Sequence, residues 1–102
     1  MKNYEISLAV NANPVKLTGF PRDFLTKMLI GAASSLKGVN EIDRMFLTLR
    51  FGKVKMSIND IPIALGPFPT LIMGRTLLGT ISTLKGVEGE ISNVEISLQV
   101  KE

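Results

Sequence analysis

Cysteine, histidine and tryptophan are all missing from this chain of 102 residues. Without cysteine there are no disulfides, no thiolate nucleophile and no thiolate metal ligands. Without histidine the imidazole base, the Ser-His-Asp arrangement and the commonest zinc ligand drop out as well. Apolar runs are short, and none approaches the ~18 residues of a membrane-spanning helix. The opening Met1-Lys2-Asn3-Tyr4-Glu5 has no apolar h-region, so the expected location is the cytoplasm.

What is present describes one ordinary globular core. Hydrophobic residues make up 45% and charged residues 21%, which excludes a disordered chain and predicts a single domain over 1–102. Twelve Lys and Arg against nine Asp and Glu leave a net charge of +3. A nucleic-acid-binding domain usually gathers its basic residues on one face. Here they are scattered along the chain, and only Arg50, Lys53 and Lys55 cluster. The balance permits an anionic partner without demanding one.

The strongest pattern is self-similarity. With the sequence shifted by 48, residues 6–39 fall on 54–87 with twelve identities. Asn11 meets Asn59, Pro14 meets Pro62, Phe20-Pro21 meets Phe68-Pro69, and Leu36-Lys37-Gly38-Val39 meets Leu84-Lys85-Gly86-Val87. With the shift increased by one, to 49, Met45, Leu47, Leu49 and Phe51 align with Val94, Ile96, Leu98 and Val100. Two internal repeats, at about 4–51 and 52–102, follow from this.

Each repeat reads the same way. Ile6, Leu8 and Val10 alternate with polar or small neighbours, as do Val54, Met56 and Ile58, which is the period of a half-buried strand. Asn-rich turns with a proline lead into short runs at Val15–Leu17 and Ile63–Leu65. Phe-Pro then opens a helix, with proline expected at its first position. Leu25, Leu29, Ala33 and Leu36 form one helical stripe, and Met73, Leu77, Ile81 and Leu84 form another. Lys-Gly-Val after each stripe predicts a Schellman ending with Gly38 and Gly86 at C′. Final strands follow at about 44–51 and 93–100. A Gly52-Lys53 turn between the repeats would set Arg50 opposite Lys55.

The expected fold is therefore α+β: two tandem ββαβ repeats related by an internal pseudo-twofold. A six-stranded, mainly antiparallel sheet would carry both helices on one face and leave a polar face open. With the short strands counted as extensions, the order βαββαβ resembles that of ferredoxin-like folds. The full order also resembles a double-psi barrel, which is the alternative architecture.

Three functional readings arise. The second helix has only Arg75 and Lys85 as charges between Pro69 and Lys85, and the side opposite its core stripe carries Leu71, Gly74, Leu78, Gly79 and Ser82. A helix apolar all round is a buried one. Those five residues are the expected interface of a non-catalytic scaffold or protein-interaction domain that forms a homo-oligomer, in the first place a dimer. The second reading is a nucleic-acid or polyanion site at Arg50, Lys53 and Lys55, although only Phe46 and Tyr4 offer rings for stacking bases on the sheet. The third is a small-molecule site between the repeats. The helix starts are poor phosphate sites, because proline removes N–H donors there. Glu41 with Asp43, and Glu88 with Glu90, sit in solvated connections, and Asp60 takes the place of Ala12 in the other repeat. No catalytic residue, cofactor or metal is expected.

Overall fold

The computed structural model describes residues 3–101; Met1, Lys2 and Glu102, which the leader reading, the 1–102 domain span and the second repeat include, lie outside them. The elements are β1 (Tyr4–Val10), β2 (Asn13–Val15), α1 (Gly19–Ser34), β3 (Arg44–Arg50), β4 (Lys53–Ile58), β5 (Ile61–Ile63), α2 (Pro67–Ile81) and β6 (Asn93–Val100). The six strands form one sheet in the order β2-β1-β6-β3-β4-β5, and every neighbouring pair is antiparallel. The sheet is open, with β2 and β5 at its edges, so the barrel alternative does not describe this chain. Pro14 and Pro62 sit in those edge strands, where a missing N–H leaves no gap in an inner ladder.

Side chains of a strand alternate between faces, so the cross-strand register decides which residues share one. Leu8, Ile96, Leu47 and Met56 stand in one row across the four long strands, with Val10, Val94, Leu49 and Val54 in the next. All eight are buried. Leu25, Leu29 and Ala33 of α1 and Met73, Leu77 and Ile81 of α2 join the same cluster, so both helices cover this one face. Each of these side chains contributes roughly 1.5–3 kcal/mol by leaving water, alanine less. Neither helix has a side-chain N-cap bond, an acid in its first turn or a base in its last. The packed stripe, rather than intrinsic capping, keeps them helical.

The opposite face carries Glu5, Ser7, Arg44, Phe46, Thr48, Arg50, Lys53, Lys55, Ser57, Glu95, Ser97 and Gln99, and no element of the fold covers it.

Local details depart from the sequence expectation in three places. The helices start earlier, so Pro21 and Pro69 occupy the third helical position; a first-turn N–H has no intrahelical partner, and proline costs nothing there. The helices also end before the glycines. Gly38 and Gly86, at φ 83° and 87°, lie in separate turns closed by Val39 N–H to Leu36 O and Val87 N–H to Leu84 O, not at C′.

The central hairpin turns at Phe51-Gly52, not at Gly52-Lys53. Both turn residues have positive φ, 49° and 77°, the type I′ geometry that suits strand twist. Arg50 therefore faces Lys53, and Lys55 faces Thr48. The cause lies at the far end of the pair. Asn59 N–H donates to Arg44 O, and the Asn59 side-chain oxygen accepts from the N–H groups of Asp43 and Arg44. That clasp admits one register only.

Candidate functional site

Two surfaces carry the residues singled out in the sequence, and they lie on opposite sides of the sheet. On the helix side, α2 divides the five expected interface residues. Leu71 is exposed, and so are Gly79 and Ser82. Gly74 is buried: a Cβ there would stand 3.7 Å from Leu49 and from Val54. Leu78 is half-buried against the core and lines a small hollow of about 150 Å³ with Phe51, Gly52 and Ile91. The Ser82 hydroxyl donates to Gly79 O at 3.0 Å and is turned back onto its own helix.

The exposed apolar part of α2 lies nearer its N-terminus than the sequence reading placed it. Phe68, Leu71 and Ile72 are 69%, 48% and 51% exposed. Their spacing of three and four puts them on one stripe. Spacing alone could have found Phe68 and Ile72. They were missed because burial of the helix start depends on how far β5 and its connection cover it. On α1 the matching stretch carries Phe20 and Phe24, stacked at 5.7 Å between ring centres, interspersed with Arg22 and Asp23, which pair at 3.2 Å.

On the open face, Thr48, Arg50, Phe51, Lys53 and Lys55 enclose a hollow of about 390 Å³ beside the hairpin tip. The three clustered cations are thus brought together as the sequence suggested, in a different register. Arg50 faces Lys53 directly, an unfavourable like-charge placement. It is relieved from the other side: the Arg50 guanidinium donates to Asn93 Oδ1 at 3.1 Å and pairs with Glu95 at 3.4 Å. Among the described residues, Lys53 and Lys55 have no carboxylate within ion-pair distance. Phe51 is 88% exposed at the tip, where it borders both sides of the sheet, and Phe46 is 47% exposed in the middle of the open face. Phe51 went unremarked as a site residue because its turn position was misjudged. Tyr4 is not available for stacking in the same way, since its hydroxyl donates to Ile42 O at 2.7 Å and ties the loop before β3 to β1.

The remaining groups are structural in character. Asp60 and Arg44 form a two-point ion pair, 2.6 Å at its shorter contact, and the hydrogen bond with Asp60 raises the Arg44 pKa above its ordinary value. A hollow of about 1250 Å³ is a broad groove between the flank of α1 and residues 3–6, 40–42 and 101. It lies beside the first helix rather than at the β3–β6 seam where a site between repeats would sit. No helix of the described residues is long and apolar enough to cross a membrane.

No protein-family model, curated protein or solved structure matches the chain.

Proposed function

We propose that this is a non-catalytic, cytoplasmic interaction domain that pairs with a second copy of itself through the outer, N-terminal part of α2. One observation carries the reading: the exposed stripe of Phe68, Leu71 and Ile72 on a helix whose single charge is Arg75. A solvent-facing helix side normally carries charge, and an unpartnered apolar stripe of this kind is costly to leave in water. A second copy offers the same largely apolar surface; exposed Arg75, four residues from both Leu71 and Gly79, lies on this stripe, and its long side chain can reach to the rim of a twofold contact. Gly79 extends the stripe with a small residue: nothing stands within 4 Å of a Cβ built there, so a neighbouring helix has room to approach.

Leu71→Glu tests this. The wild-type chain is expected to sediment as a dimer of about 22 kDa, twice its 11.1 kDa. The variant is expected to sediment as a monomer with unchanged circular dichroism. A variant that stays dimeric overturns the reading.

The same proposal includes the origin of the fold, as two ββαβ units related by a pseudo-twofold axis between β3 and β6. Its support is pairwise. The β1–β2 and β4–β5 hairpins have turn residues at φ 51° and 68° and at φ 52° and 68°. Asn11 Oδ1 accepts from the N–H groups of Ser92 and Asn93, as Asn59 Oδ1 does from Asp43 and Arg44. Each Asn side chain also donates once, to Glu90 O or Glu41 O, both at 2.9 Å. In this light the helices are where the copies diverge: Asp23 and Lys27 on one correspond to Leu71 and Arg75 on the other. That divergence leaves the α2 stripe without a counterpart of the Arg22–Asp23 pair that lies among the exposed Phe20 and Phe24 of α1.

A further inference from the structure

Among the described residues, three tight turns have two consecutive residues at positive φ: Asn11-Ala12, Asn59-Asp60 and Phe51-Gly52. Asparagine tolerates the first position, and two of the turns use it. The third uses phenylalanine, at φ 49° and almost fully exposed. A bulky residue there is strained, and this one recovers nothing by burial. Strain that the fold does not need is a pointer to a role outside the fold. The surroundings indicate which role. Phe51 edges the hollow whose other walls are Thr48, Arg50, Lys53 and Lys55, and the two lysines are unpaired among the described residues.

We infer that this hollow and the open sheet face beyond it bind single-stranded nucleic acid. One base stacks on the Phe51 ring while Lys53, Lys55 and Arg50 take the neighbouring phosphates. Arg50 is free to do so, because its exposed pair with Glu95 at 3.4 Å is a weak one that a phosphate readily displaces. Phe46, on the open face and roughly 16 Å back along the strand at ~3.3 Å per residue, supplies a second ring; Phe51, at the turn, borders this face as well as the hollow beside Leu78. Between and around the rings the face presents Thr48, Ser57 and Ser97, hydroxyls that suit base edges and sugars rather than acyl chains. Rings for stacking and cations tracking the backbone are the two components of sequence-tolerant single-strand binding. A duplex has no free base faces to offer Phe51. A membrane would meet two separated rings, Phe46 and Phe51, on an otherwise polar and charged sheet. The site lies on the opposite face from the α2 stripe, and its failure would leave the dimer proposal standing.

The test is fluorescence anisotropy of the full chain with a labelled twelve-nucleotide oligothymidylate at 50 mM and 200 mM salt. The same label on a duplex and vesicles containing phosphatidylserine are run in parallel. Phe51→Asn suits its turn better than the native residue, so it is expected to hold or raise the melting temperature while weakening oligonucleotide binding about tenfold. Replacing Lys53 and Lys55 together by Ala is expected to weaken binding and to lower the salt slope by about 1.4. The inference is overturned by no binding at 50 mM salt, by Phe51→Asn binding like wild type, by a duplex bound as tightly as the single strand, or by vesicles bound in its place.

Discussion

Asn11 and Asn59 do more for the fold than any other polar side chains described. Each occupies a backbone conformation that asparagine tolerates, and each clasps the start of a neighbouring strand with its side-chain oxygen and amide. Asn59→Ala removes bonds to Asp43, Arg44 and Glu41 and places alanine at φ 52°. The bonds are exposed, so each is worth toward the low end of ~0.5–1.5 kcal/mol, with ~1 kcal/mol more for the backbone. The expected loss is about 2–3 kcal/mol, measured by urea denaturation, with the β3–β4 register loosened. A loss within 0.5 kcal/mol would show that the clasp does not hold the register. Phe51 is the counterexample at this scale, a turn residue that the turn itself disfavours.

At the scale of the element, α2 has two sides that the sequence could not separate fully. Its core stripe was legible, because Met73, Leu77 and Ile81 follow helical spacing and stand 48 residues after Leu25, Leu29 and Ala33 of the first stripe. The edge of that stripe was not. Gly74 is covered because the β3–β4 hairpin brings Leu49 and Val54 beneath it, and Leu78 is half-covered because it packs against the edge of the core. Those neighbours depend on a hairpin register set by Asn59, and both candidate registers keep the same alternation of buried residues. Helical periodicity carries no information about that choice. The consequence is a sharp contrast on one helix. Gly74→Ala gains helix propensity and ordinary contacts at 3.7 Å, so it is expected to raise stability by about 1 kcal/mol without altering mass. Leu78→Glu buries a charge at the margin of the core and is expected to destabilise the monomer, whereas Leu71→Glu changes only its association. Thermal melts of the three variants separate these outcomes.

Across the whole molecule, a layer of two helices and an open sheet leave two surfaces of opposite character. Of eight exposed large apolar residues, five belong to the helices, while the far side of the sheet is polar and carries the basic hairpin. This sidedness was foreseen in the sequence, since strands of period two with one polar side require a solvated face. The proposed pairing through α2 would leave both sheet faces of a dimer outward, and two linked sites would then bind a long strand more tightly than one. The account rests most heavily on that pairing. Its most direct measure is the absolute mass of the wild-type chain by light scattering, over a range of concentrations and at low and high salt. An apolar contact predicts a dimer of about 22 kDa that persists in high salt. A monomer of 11.1 kDa at every concentration, or a dimer that falls apart as salt is raised, would contradict it.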